Sequence, residues 1–181
     1  VTVIPTYTLT VNSDGCCPIE VSYDTVTETV AAGGSANFTD IPCGTDVSLN
    51  ATAPECCEFV NWIVDGSPVE GNPITVTMNE NHTAVATCSV PTYTLTTNAS
   101  PPEGGSVTGG GSYNCSTNVT VEAIPATCYE FTGWSGDLSG SDNPTSIHID
   151  GDKTVTANFA KYEYTLTTNA SPPEGGSVTG G

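Results

Sequence analysis

The sequence predicts an all-β chain built from tandem small domains and stabilised by disulfides. Three observations carry that expectation. The composition is rich in β-branched residues and poor in helix formers, a long segment repeats, and cysteine is dense. Thr contributes 30 of 181 residues, while Met occurs once and Arg and Gln are absent. Thr and Val pack better on a pleated surface than in a helix. Eight Cys in a chain of this size, with no CxxC pair and with His82 and His148 far in sequence from any thiol cluster, favour disulfides in an oxidising compartment over a metal site.

The repeat sets the domain organisation. The segment YTLTTNASPPEGGSVTGG at 93–110 recurs unchanged at 164–181, and a weaker copy, YTLTVNSDG, starts at Tyr7. Cys43 to Cys56 spans 13 residues, as does Cys115 to Cys128. Cys56 to Trp62 spans 6, as does Cys128 to Trp134, so CCEFVNW matches CYEFTGW. Asn72-Pro73 matches Asn143-Pro144. The chain therefore reads as the terminal strand of a preceding unit (1–6), unit one (7–92), unit two (93–163) and a partial third unit (164–181). Unit one carries 14 extra residues between Tyr7 and Cys43, bearing Cys16 and Cys17. That insertion, 14–36, is expected to fold over unit one and be fastened there. The partial unit is too short to bury a core alone, so continuation of the chain or a strand from another chain is expected to complete it. The short linkers SVPT (89–92) and AKYE (160–163) favour a stiff string of beads.

Six strands are expected in unit two: Tyr93–Asn98, Ser106–Thr108, Val119–Ala123, Glu130–Trp134, Ser146–Ile149 and Thr154–Phe159. The turn signals PPEGG, GGGS, SGDLSGSDNP and DGDK separate them. Alternation makes Leu95, Val119, Val121, Phe131, Ile147, Ile149, Val155 and Phe159 core candidates. Their counterparts in unit one are Leu9, Val47, Leu49, Phe59, Val76, Met78, Ala84 and Cys88. The matched places of Trp62 and Trp134, beside Phe59 and Phe131, favour a core role over an exposed sugar-stacking platform. Each unit must solve the same packing problem.

The run CYEFTGWSGDLSGSDNPTSIHIDGDKTVTANF, preceded by YTLTTN and NVTVEA, resembles the divergent internalin-B-type B-repeat, or Listeria–Bacteroides repeat. The resemblance covers unit two from end to end. Unit one keeps EFVNW, GNP and the terminal strand but lacks the GWSGD turn. The resemblance implies a small, β-grasp-like domain that recurs in tandem in bacterial and archaeal surface proteins as stalk, spacer or adhesive contact, and not as a catalyst. The family commonly carries Gly where Cys115 and Cys128 stand, so the cysteines are this chain's own departure.

Two pairings stay open for them. One is a staple inside each unit, Cys43–Cys56 and Cys115–Cys128. Against it, a tight hairpin of Val119–Ala123 with Glu130–Trp134 around Pro125 would leave Cys115 and Cys128 too far apart, since a disulfide needs Cα atoms within about 7 Å. The other places one thiol near each pole of a unit and cross-links successive units or chains. Free buried thiols are the bland alternative. Cys16, Cys17, Cys57 and Cys88 allow three further pairings. Adjacent cysteines in a strand point to opposite faces, so Cys56 and Cys57 are expected to take different partners. Metal ligation by these thiols is the weaker reading.

Charge excludes several functions. Lys153 and Lys161 are the only Lys or Arg residues and the net charge is −18, so a basic nucleic-acid surface and a polybasic membrane anchor are both absent. No apolar run is long enough to span a bilayer. No catalytic constellation is present: no GxSxG occurs, GGGS at 109–112 lacks the Lys and helix of a phosphate loop, and both His read as exposed surface residues. Asp137, Asp142, Asp150 and Asp152 are weak calcium candidates, because hard cations take oxygen ligands in such turns. The alternative is ordinary Asp turn chemistry, and no cofactor is expected. Sequons begin at Asn37, Asn50, Asn81, Asn98, Asn114, Asn118 and Asn169 and suggest covalent N-glycans on an extracellular or cell-surface chain. The function expected is a structural repeat protein, forming a stiff stalk or the subunit of a disulfide-stabilised filament or sheath, with itself as partner in head-to-tail or lateral assembly. The alternatives are an adhesin module binding glycan or host protein, or a stalk on a secreted enzyme.

Overall fold

In the computed structural model the residues described are 3–169, 171 and 173–177. Two compact units form: residues 1–93 with 113–117, and residues 94–112 with 118–181. Val3–Pro5 lie outside any strand, and the rest of the expected terminal strand, Val1 and Thr2, falls outside the described residues.

Unit one contains β1 (Thr6–Asp14), β2 (Ile19–Tyr23), β3 (Val26–Val30), β4 (Ser35–Pro42), β5 (Asp46–Ala51), β6 (Glu58–Val64), β7 (Ser67–Val69), β8 (Ile74–Thr77) and β9 (His82–Ser89). They form two sheets, ordered β4-β1-β9-β6-β7 and β3-β2-β5-β8. The first and last strands, β1 and β9, run parallel beside each other within the larger sheet, with Leu9 opposite His82 and Val11 opposite Ala84. One core cluster draws on both sheets, including Leu9, Val11, Ile19, Leu49, Trp62, Val76, Met78 and Ala84. Alternation explains this directly. β5 reads DVSLNA, and Val47, Leu49 and Ala51 turn inward while Asp46, Ser48 and Asn50 turn outward.

The insertion is part of this architecture rather than a cover. It supplies β2, which pairs β5 as a central strand, and β3, an added edge strand that pairs β2 as a hairpin.

Unit two contains β10 (Thr92–Ser100), a 3-10 turn (Pro102–Gly104), β11 (Gly105–Thr108), β12 (Gly111–Asn114), β13 (Thr117–Pro125), β14 (Tyr129–Gly136), β15 (Thr145–Ile149) and β16 (Lys153–Lys161). Its sheets are ordered β12-β10-β16-β14 and β11-β13-β15. Again the first and last strands, β10 and β16, are parallel neighbours. Leu95, Val119, Val121, Ile147, Ile149, Val155 and Phe159 are buried. Phe131 is half-buried against Trp134, 5.1 Å between ring centroids.

Two sequence expectations fail here. The GGGS segment, read as a turn, leads into β12, because Gly111–Asn114 lies against β10 in the sheet. Val119–Ala123 and Glu130–Trp134 are not a hairpin: β13 pairs β11 and lies in the sheet with β15, whereas β14 pairs β16. The Pro125 connection therefore crosses between sheets. The spacing of hydrophobic residues does not distinguish a turn within a sheet from a crossover between sheets.

Candidate functional site

No pocket forms among the described residues. What stands out chemically is the cysteine framework, held by turns that recur between the repeats. Cys43 directly follows β4 and Cys115 directly follows β12. Each accepts the same anchor, with its N–H donating to a proline carbonyl that precedes the first strand of its repeat: Cys43 to Pro5 and Cys115 to Pro91, both at 2.9 Å. Cys56 and Cys128 also match. Both adopt positive φ, 61° and 67°. In both, the next residue's N–H bonds back three residues, Cys57 to Pro54 at 3.1 Å and Tyr129 to Ala126 at 3.0 Å. Left-handed backbone at two non-glycine residues with the same turn indicates one local structure used twice.

Three disulfides form. Cys16–Cys57 and Cys17–Cys88 tie the insertion to the start of β6 and the end of β9, with Cα separations of 5.8 and 6.1 Å. The third, Cys56–Cys115, has Cα atoms 5.3 Å apart. It lies within the first compact unit, since residues 113–117 of the second repeat cluster there. Cys43 and Cys128 are free and exposed. The staples Cys43–Cys56 and Cys115–Cys128 therefore do not form. Both Cys56 and Cys115 are committed elsewhere, because the turn after β12 brings Cys115 to the first unit. Cys56 and Cys57 do take different partners, as do Cys16 and Cys17.

The Sγ atoms of Cys16, Cys17 and Cys57 lie within 4.8 Å of one another, and Cys17 and Cys57 are 3.3 Å apart. Metals bind thiolates, so in the disulfide form these sulfurs are not ligands.

The remaining candidates serve the scaffold. Asn72 Oδ1 accepts the Ala51 N–H at 2.9 Å while its Nδ2 donates to the Ala51 carbonyl at 2.6 Å. Asn143 does the same to Ala123, at 2.8 and 2.7 Å. Each amide thus imitates a paired strand residue at the end of β5 or β13. The indole N–H of Trp62 donates to Asn72 Oδ1 at 3.3 Å, and that of Trp134 to the Asp142 carbonyl at 2.9 Å. Trp62 is 0% and Trp134 5% exposed, which leaves no stacking platform at either.

The carboxylates considered for calcium are engaged locally. Asp137 Oδ2 accepts the Thr154 N–H at 2.7 Å, as Asp65 Oδ1 accepts that of Thr83 at 2.8 Å. Asp152 accepts the Thr94 N–H, and Asp150 pairs with Lys153 at 2.6 Å. The Lys153 ammonium holds the Asp150 carboxyl below its ordinary range. Asp142 contributes the backbone carbonyl already described.

His148 is exposed and lies 3.0 Å from Asn118 Oδ1. His82 departs from the surface expectation. Its side chain is 11% exposed, with Nδ1 2.6 Å from Asp65 and Nε2 2.9 Å from Asn79. The Thr83 N–H, and after it His82, hold the Asp65 carboxyl below its ordinary value. Sequence missed this pair because Asp65 and His82 are separated by a hairpin and an excursion into the other sheet. Six of the seven sequon asparagines are exposed, and Asn50, in β5, is half-buried.

The sequence model of the divergent InlB B-repeat domain matches the chain twice, over residues 24–89 and 93–163. Among solved structures, the Bacillus anthracis TIE protein is similar with a TM-score of 0.48 at 12% identity. That similarity covers 86% of this chain and 34% of the other, so the chain spans about a third of that protein's length. No curated protein matches the chain.

Proposed function

Because the chain belongs to the divergent InlB B-repeat family, we propose that it is an extracellular structural protein, a stalk of disulfide-locked β repeats displayed at a cell surface. The observation that carries this reading is the Cys56–Cys115 bond. It closes a 59-residue separation covalently within the first compact unit, which has value in a load-bearing or protease-exposed chain. Three disulfides fit an oxidising compartment, and exposed sequons fit a glycosylated surface. The family is not typically enzymatic. Exposed Trp side chains would have favoured an adhesin that stacks on sugars, and both are buried.

Non-reducing peptide mapping of native material, paired with labelling of intact cells by a membrane-impermeant amine or carboxyl reagent, tests the proposal. Oxidised Cys16–Cys57, Cys17–Cys88 and Cys56–Cys115 peptides with surface labelling are expected. Fully reduced cysteines in native material, or protection from label until cells are lysed, would refute it.

A further inference from the structure

Four cysteines of unit one converge at one end of its larger sheet, and backbone pairing alone is enough to bring them there. β9 lies between β1 and β6 in that sheet. The ladders set Asp14 of β1 opposite Thr87 and Glu58 of β6 opposite Ser89. Cys16 and Cys17 follow β1 after Gly15, Cys57 directly precedes β6, and Cys88 sits near the end of β9. Contacts that involve no sulfur fix the approach. Gly15, at φ of 117°, lies so close to β9 that a Cβ there would stand 2.7 Å from the Cys88 carbonyl oxygen. The Ser13 hydroxyl donates to the Cys17 carbonyl at 2.6 Å, and the Thr52 N–H donates to the Pro18 carbonyl at 3.0 Å.

The sulfurs are closer than two separate bridges require. Cys17 and Cys57 belong to different bridges, yet their Sγ atoms are 3.3 Å apart. The Sγ atoms of Cys16, Cys17 and Cys57 all lie within 4.8 Å of one another, and Cys88 joins them as the partner of Cys17. Cys16 Sγ is also 3.5 Å from the Ser89 carbonyl oxygen, so it too faces the end of β9. Cys17 and Cys57 are buried and Cys16 and Cys88 half-buried. Zinc bound tetrahedrally by thiolates at about 2.3 Å spaces its sulfurs by about 3.8 Å, which these positions meet by side-chain rotation once the bridges open.

We propose that, when both bridges are reduced, Cys16, Cys17, Cys57 and Cys88 together hold one zinc ion. The metal and the two disulfides are then alternative ways of tying the same four sulfurs. Soft thiolates select zinc over calcium or magnesium. The site does not rest on the stalk reading. It belongs to the chain before oxidation, where it fastens the insertion to β6 and β9 as the bridges do afterwards.

The reductant is a tertiary phosphine. For each bridge, phosphorus attacks one sulfur and the S–S bond breaks. Water then gives its oxygen to phosphorus, forming the phosphine oxide, and its two protons to the two thiolates. Two phosphines thus yield four thiols, and zinc displaces one proton to solvent from each sulfur it binds.

The test uses the full chain, reduced by the phosphine, freed of it without air, and divided into samples with and without zinc. Alkylation by iodoacetamide followed by peptide mapping reads each cysteine separately. Zinc should protect Cys16, Cys17, Cys57 and Cys88 and leave Cys43, Cys56, Cys115 and Cys128 to react. Cobalt(II) in place of zinc should give the intense visible absorption of a tetrahedral thiolate site, saturating at one ion per chain. Cys88→Ser, which leaves three ligands, should weaken zinc binding at least about tenfold, equivalent to about 1.4 kcal/mol, whereas Cys43→Ser should leave it unchanged. If the reduced chain loosens without metal, zinc should restore the native Trp62 emission of a Trp134→Phe chain together with the protection. Absence of protection, protection spread evenly over all eight cysteines, or an octahedral cobalt spectrum would each overturn the proposal, and each leaves the stalk reading, which concerns the oxidised chain, standing.

Discussion

Removing the Cys56–Cys115 bond should destabilise the first unit by about 4 kcal/mol. The perturbation is the double variant Cys56→Ser/Cys115→Ser. Both residues are replaced because a lone Cys56 thiol, adjacent to Cys57, would attack the Cys16–Cys57 bridge. The bond closes a sequence separation of 59 residues. Loop-closure entropy of about 2.1 + 1.5R ln 59 is about 14 cal/mol/K, or about 4 kcal/mol at 25 °C. Each unit holds one of the chain's two tryptophans, Trp62 in the first and Trp134 in the second. A Trp134→Phe background therefore makes indole fluorescence report on the first unit alone. With a urea slope of about 1–2 kcal/mol/M for a unit of this size, the midpoint should fall by about 2–4 M. Cleavage by a nonspecific protease should also move to residues 113–117. A midpoint change worth less than about 1 kcal/mol would refute the reasoning, because it would mean that Tyr113–Thr117 stays on the first unit without the bond.

Asn143→Leu should strip the buried Ala123 N–H and carbonyl of their partners and cost about 2–4 kcal/mol, read as a lower urea midpoint of Trp134 fluorescence; Asn72→Leu should act alike through Trp62. Gly136→Ala should destabilise unit two by more than about 1 kcal/mol in the same assay, since Gly136 has φ of 95° and a Cβ there would press on the Thr154 carbonyl oxygen. The Asp65 carboxyl is depressed below 3.8, so its stabilisation is complete above that pH and is lost as pH falls through the lower folded value. Because Asp65 is half exposed, solvent screening leaves it about 0.5 kcal/mol. Wild type and Asp65→Asn should accordingly differ by about that much at pH 6 in thermal melts and converge as the pH falls and the Asp65 carboxyl is protonated.

Alternation placed six of the seven strands of unit two and most of the core, because inward and outward positions on a pleated strand are a local property. Val119 and Val121 in NVTVEA are an example. The matched spacing of Cys43, Cys56, Trp62, Cys115, Cys128 and Trp134 likewise revealed the repeat directly. Disulfide partners were not legible. Cys56 is closer in sequence to Cys43 than to Cys115, and only the placement of the turn after β12 selects Cys115. The Asp65–His82 pair and the amide anchors of Asn72 and Asn143 were hidden for the same reason, since each joins segments that the fold alone brings together. The Asn-Pro match between repeats was the signal that the two asparagines shared a role.

The segment YTLTTN makes the division plain. At 93–98 it lies in β10, paired parallel to β16, and Leu95 is 2% exposed. At 164–169 the same six residues lie outside any strand, and Leu166 is 67% exposed. Sequence determined the alternating pattern, the repeat length and the thiol positions, because these depend on neighbours along the chain. Tertiary structure decided which copy became a strand and which cysteines were joined. A strand needs a hydrogen-bonded neighbour and a disulfide needs a second sulfur within reach, and both are supplied from distant parts of the chain.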